Sequence, residues 1–114
     1  MRSPMFLICF VILLAACKKN STSPCGLNTC MQTQIEEFKS SVICKSGAAV
    51  KEYSFQEKTV YVFDQTNCVD DGAAGVYDAN CNYLGMLGGI AGFGKINSVA
   101  FYENATYVRT IWQN

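Results

Sequence analysis

One change of hydrophobic period, at Ser46-Gly47, restricts the architecture of this chain more than any other feature of its 114 residues. Before it, Met31, Ile35, Phe38 and Val42 recur at helical spacing, while Gln32, Gln34, Glu36, Lys39 and Ser40 fall on the opposite face. Thr29-Cys30-Met31-Gln32 has the form of a capping box, in which the Thr29 hydroxyl accepts from the first turn and Gln32 reaches back. An amphipathic helix from Cys30 to Cys44 is expected, stopped by Ser46-Gly47. After the change the pattern alternates. Val50 to Phe55 and Thr59 to Asp64 are rich in aromatic and β-branched residues and predict a hairpin closed by Gln56-Glu57-Lys58. Gly75 to Asp78 is expected to meet Tyr83 to Leu87 across Ala79-Asn80-Cys81-Asn82. Val99 to Tyr102 and Tyr107 to Trp112 are expected as strands around Glu103-Asn104-Ala105. Parallel strands need a crossover of a dozen or more residues, and no helical stretch of that length separates these segments. The expected fold is therefore α+β: one N-terminal helix packed on an antiparallel sheet of about four to six strands.

The N-terminus carries a separate message. Arg2 precedes an apolar run from Met5 to Ala16 that suits a secretory signal and is too short for a permanent membrane span. The run ends Leu14-Ala15-Ala16-Cys17, which resembles the lipobox of bacterial lipoproteins: small residues fit the protease before the cut, and the Cys17 thiol accepts the diacylglycerol. This reading makes residues 1–16 a signal peptide, residues 17–28 the lipidated cysteine and its tether, and residues 29–114 a single domain. Each buried acyl methylene contributes about 0.8 kcal/mol, so several chains, palmitate among them, hold a protein on a bilayer almost irreversibly. Lys18 stands where an aspartate would retain a lipoprotein at the inner membrane, and Lys18-Lys19-Asn20-Ser21 lacks acidic residues. The expected location is the bacterial cell envelope, at the outer membrane and facing the periplasm.

About a hundred residues then remain for one core, which is enough but leaves little margin. Removing Arg2 from the nine basic side chains leaves eight against nine acidic ones. A chain so nearly neutral, with no basic stripe, is not expected to bind nucleic acid.

The chain has seven cysteines. Cys9 leaves with the signal and Cys17 is lipidated, so Cys25, Cys30, Cys44, Cys68 and Cys81 remain as disulfide candidates. An oxidising compartment and the absence of histidine favour disulfides over metal ligation. Two bridges and one spare thiol are expected. On a helix from Cys30 to Cys44 the two ends stand roughly 21 Å apart, too far for a bridge. Cys68 with Cys81 is the preferred pair, and Cys44 would reach Cys25 or Cys30 only if the helix were shorter. The pairing otherwise stays open.

No catalytic residue is assigned. Without histidine there is no ordinary base for a cysteine or serine nucleophile, and Asp70-Asp71 beside Gly72 reads as a solvated turn rather than an acid/base pair. Gly89-Ile90-Ala91-Gly92-Phe93-Gly94-Lys95 copies the skeleton of a phosphate-binding loop, but Ile96 stands where magnesium needs a hydroxyl. Asp78-Ala79-Asn80-Cys81-Asn82 opens like a calcium loop, but Tyr83 replaces its glycine and Gly89 its closing glutamate. The first reads as a tight turn and the second as a hairpin turn. No metal, cofactor or enzyme activity is expected. Asn104-Ala105-Thr106 is sequon-like and receives no role.

Tyr53, Phe55, Tyr61, Phe63, Tyr77, Tyr83, Phe101, Tyr102, Tyr107 and Trp112 are many aromatics for so small a domain. Alternation sends some to a helix-covered face and others outward, where a second cover is expected from the glycine-rich loop or a partner. Val60-Tyr61-Val62-Phe63, Cys68, Val76-Tyr77-Asp78-Ala79-Asn80-Cys81 and Leu84-Gly85 through Gly89 resemble the uncharacterised small lipoproteins of Bacteroidetes-type bacteria. The likeness spans Cys30 to Trp112 and implies a lipobox and a compact domain, with no assigned activity. Helix-then-sheet order also resembles cystatin-like and peptidase-propeptide-like inhibitory domains in architecture alone. The expected function is a membrane-anchored module that binds or inhibits another envelope protein through a sheet face or edge. The alternative is a structural envelope lipoprotein without a separate ligand.

Overall fold

A computed structural model describes residues 26–114; Cys17, Cys25 and the signal segment lie outside these described residues. Helix α1 spans Thr29–Ser41. Its N-cap is Asn28, one residue before the expected Thr29, because the shorter Asn28 side chain accepts from the Met31 N–H at 2.9 Å. Gln32 still reaches back, donating to the Leu27 carbonyl. At the other end the helix stops at Ser41 rather than Cys44, with extended backbone at Val42. Val42 and Ile43 are β-branched and favour that extension, Ile43 stands out in solvent, and Cys44 is drawn away to another partner.

Strands β1 (Ala49–Phe55) and β2 (Lys58–Asp64) form the expected hairpin in unbroken register from Ala49 opposite Asp64 to Phe55 opposite Lys58. Gln56 and Glu57 make its two-residue turn, both at positive φ, the twist that matches a hairpin. β3 (Ala73–Asp78) and β4 (Tyr83–Gly88) continue the antiparallel series. A small second hairpin follows, β5 (Lys95–Ile96) and β6 (Val99–Ala100), turned by Asn97 and Ser98 in the same positive-φ geometry.

The last segment keeps the expected strand over Tyr107 to Trp112 but cuts short the one expected over Val99 to Tyr102. Phe101–Asn104 forms a helical turn, α2, and the final strand β7 (Thr106–Gln113) joins the far edge, giving the order β4-β3-β2-β1-β7. Phe101 causes the departure: it is fully buried against Phe55 and Tyr53, so the chain dives under the sheet instead of extending. The described residues form an α+β fold, with a five-stranded antiparallel sheet and one long helix.

Both faces of the sheet are covered. On one, Leu27, Met31 and Ile35 pack against Val50, Tyr61 and Phe63. On the other, Ile96 and Phe101 cover Phe55, Val60, Val62, Ala74, Val76 and Leu87. The second cover thus comes from β5–β6 and α2, just beyond the glycine-rich loop. Among the described residues no helix is long and apolar enough to cross a membrane.

Two disulfides fasten the helix side to the sheet, Cys30 to Cys81 and Cys44 to Cys68. The preferred Cys68–Cys81 pair is overturned, because those cysteines lie in the loops at opposite ends of β3. Its six residues hold these ends roughly 20 Å apart. Cys44 pairs with neither Cys25 nor Cys30. Its release from the helix end leaves it over the 65–72 loop, where Gly47 also approaches the backbone closely.

Candidate functional site

The strand directions divide the sheet into two ends. At one end lie Phe55, the Gln56-Glu57 turn, Asp78 and Tyr83. The described chain also begins there, since Asn28 Nδ2 donates to the Ala79 carbonyl. At the other end lie Ala49, Asp64, Ala73 and Gly88. The glycine-rich loop folds over this distal end, with Gly88 and Phe93 exchanging backbone hydrogen bonds.

A cleft of about 520 Å³ opens at the distal end, between the sheet and that loop. Lys51 and Tyr53 of β1 and Asp64 of β2 form its floor, Thr66 and Gly88 its end, and Phe93 and Tyr102 its walls. Alternation explains the floor: Lys51, Tyr53 and Phe55 share one face of β1, and Phe55 anchors that face in the core. Asp64 is held in place by Thr66, whose N–H and hydroxyl both donate to Oδ1, at 2.8 and 2.6 Å. Tyr53 stands at the centre of a ring cluster, its ring meeting those of Phe101, Tyr102 and Tyr107 at 5.4, 6.2 and 5.8 Å between centroids.

This environment weakens two phenols as acids. Burial, then the charge of Asp64, then the neighbouring Tyr53, push the Tyr102 hydroxyl up to about 12. Burial, then Asp64 and Tyr107, raise Tyr53 in the same direction. Both stay protonated at neutral pH and can donate hydrogen bonds.

Beside the cleft the cluster spills onto the surface. Tyr102 of α2 and Tyr107 of β7 are each 53% exposed and Val108 of β7 is 50% exposed, an aromatic and aliphatic rim along the outermost strand and the helical turn before it. The backbone of that strand is a poor template for another strand. Its register against β1 shifts twice, between Val50 and Lys51 and between Glu52 and Tyr53, and bulges of this kind twist an edge away from further pairing. Arg109, at 3.2 Å from Glu52, ties β7 to β1 between the two shifts. Side chains, rather than backbone, are what this edge offers.

A second groove, of about 700 Å³, runs between α1 and β2–β3 and is lined by Thr33, Gln34, Glu37, Phe38, Gln65 and Tyr77. Phe38, Phe63 and Tyr77 form edge-to-face ring pairs along it, at 5.3 and 5.2 Å between centroids, but Glu37 is its one charged lining residue, so it places no charged pair around a ligand.

The motif look-alikes resolve into turns. Both Asp78 carboxylate oxygens are taken within the turn, Oδ1 by the Asn80 and Asn82 N–H groups and Oδ2 by Asn82 Nδ2. The Asn82 bonds, first from its side chain and then from its backbone, hold the Asp78 carboxyl below the usual carboxylate range. The glycine loop leads into β5 rather than a helix, so it lacks the helix N-terminus that a phosphate-binding loop uses. Asp70 and Asp71 lie in an exposed turn. Among the described residues no three His, Cys, Asp or Glu side chains gather closely enough to hold a metal ion. Of the disulfide candidates, Cys30, Cys44, Cys68 and Cys81 are bonded, and Cys25 lies outside the described residues, as does Cys17.

The cleft joins residues from β1, β2, the glycine loop and α2, and its Lys51, Asp64, Thr66 and Phe93 were not singled out by the sequence. The local signal was Asp64-Gln65-Thr66, an aspartate placed to bind backbone two residues on. Comparison with known proteins adds one match: the family model of a domain of unknown function, DUF6970, covers residues 36–114. No curated protein and no solved structure matches.

Proposed function

The chain belongs to the DUF6970 family, a domain of unknown function, and from chemistry and geometry we propose that it is a lipid-anchored module of the bacterial cell envelope that binds another envelope protein through its aromatic rim. The anchor rests on Leu14-Ala15-Ala16-Cys17 and the apolar run before it. With Cys17 acylated, the chain sits at the outer membrane and faces the periplasm.

The observation that carries the binding role is the exposed rim of Tyr102, Tyr107 and Val108 around the half-buried Tyr53. Tyrosines are favoured at binding hot spots, where a large ring adds contact area and its hydroxyl a hydrogen bond. The faces of the sheet are already covered and the β7 edge is bulged, so contact runs through these side chains. The distal cleft lies at the end of the sheet away from Asn28.

Two measurements test the two halves. Incorporation of labelled palmitate into the wild type and its absence in Cys17→Ser tests the anchor. Capture of one reproducible envelope protein by the wild type, lost in Tyr102→Ala/Tyr107→Ala with the fold intact, tests the rim. A specific observation also favours the alternative structural role: both sheet faces are covered by the chain's own elements, leaving no open face to fill. Equal capture by wild type and variant would place the contact outside the rim, and no envelope protein captured above background would favour the structural role.

A further inference from the structure

We propose that the distal cleft binds a free α-amino acid with an apolar or aromatic side chain: Lys51 takes its carboxylate, Asp64 its ammonium, and the rings of Tyr53, Phe93 and Tyr102 its side chain. The cleft volume, about 520 Å³, falls in the range of small-molecule sites. Its lining combines three aromatic rings with one cation and one anion.

The charges decide the ligand class. Lys51 and Asp64 lie on one face of adjacent strands, two places apart in register, and both are partly buried. Yet no ion pair joins them; the pairs formed among the described residues are Lys39 with Glu36 and Arg109 with Glu52. Thr66 holds Asp64 by Oδ1, which leaves Oδ2 to accept from a ligand. A simple anion entering this cleft would meet the carboxylate, and a simple cation would meet the ammonium. A neutral sugar would hydrogen-bond to both groups but carries no charge to neutralise either. A zwitterion satisfies both. Its side chain then lies between Phe93 and the edge-to-face pair of Tyr53 and Tyr102, with Phe93 and Tyr102 each half exposed and open to contact.

The rim reading shares Tyr102 with this cleft, but the two tests are separable, because Lys51 and Asp64 line the cleft and lie outside the rim, while Tyr107 belongs to the rim and does not line the cleft. The test is a calorimetric titration of the full-length protein with phenylalanine, leucine and valine, and with phenylalaninamide and N-acetylphenylalanine as charge-blocked probes. Saturable binding of at least one free amino acid is expected, with at least tenfold weaker binding of each blocked probe. Lys51→Met should weaken phenylalanine at least tenfold and abolish its advantage over phenylalaninamide. Asp64→Asn should do the same relative to N-acetylphenylalanine. Unchanged circular dichroism and melting temperature establish that the variants fold. The inference is overturned if none of the three amino acids binds, if the blocked probes bind equally well, or if glucose or N-acetylglucosamine binds where amino acids do not.

Discussion

Cys30, in the first turn of α1, is bonded to Cys81 in the turn between β3 and β4, their Cα atoms 6.3 Å apart across a sequence separation of 51. Together with Cys44–Cys68, whose separation is 24, it fastens the helical segment to the sheet at both of its ends. Closing loops of those lengths restricts the unfolded chain by about 4 and about 3.5 kcal/mol respectively, with less for the second once the first is formed, because it is nested inside. The double variant Cys30→Ala/Cys81→Ala should lose about 2–4 kcal/mol of unfolding free energy in urea, and Cys44→Ala/Cys68→Ala a smaller amount. Equal stability with and without reductant would contradict this role.

Phe101 is fully buried beneath the sheet, between Tyr53 and Phe55. Phe101→Ala should cost about 3–5 kcal/mol, as large aromatic truncations in cores do. Because Phe101 fixes the face that floors the cleft, the loss should appear in melting temperature and in the near-ultraviolet signal of Tyr53 together. A variant that melts like the wild type would show that β5–β6 and α2 hold the face without it.

Gly47 has φ near +100°, and a Cβ there would lie 2.2 Å from the Asn67 carbonyl oxygen. Both the conformation and the approach exclude a side chain, so Gly47→Ala should destabilise by at least about 2 kcal/mol. In contrast, Glu57 adopts φ +63° in an open hairpin turn. Glu57→Gly relieves that conformation and should be neutral or stabilise by up to about 1 kcal/mol. Denaturation midpoints of the two variants should move in opposite directions or differ by their sum.

The Tyr102 hydroxyl, pushed up to about 12, should be the late phenol in an ultraviolet titration, and Tyr102→Phe should remove that step. Its folded pKa lies above the ordinary value of 10.0, so the folded chain holds the proton more tightly than the unfolded one. The stability linked to it is complete below pH 10 and is lost as pH rises toward 12. Tyr102→Phe should flatten that alkaline loss. An unchanged titration curve would place the late phenol elsewhere.

The helix and the first four strands were legible in the sequence because their signals are local: period, β-branching and the polar turns at Gln56-Glu57 and Ala79 to Asn82. Their ends were less so. Asn28 took the cap from Thr29, and Val42 is extended where the chain leads Cys44 to its partner in the 65–72 loop. What failed depended on distant residues. Phe101 looked like a strand residue, and only the apolar space under Phe55 shows why the chain turns there. Cys68 and Cys81 looked paired by spacing, until β3 put a strand's length between them. The cleft was invisible for the same reason, since Lys51, Asp64, Phe93 and Tyr102 meet only after the glycine loop closes over the distal end.

The central claim, that the rim of β7 is a binding surface, is tested most directly by photocrosslinking in the native envelope. A photoreactive residue in place of Tyr107 is compared with one in place of Gln34 of α1, which lines the helix-side groove and lies outside the rim. One reproducible protein adduct from position 107 and none from position 34 is the predicted result. Adducts at background level from both positions, or the same adducts from both, would contradict it.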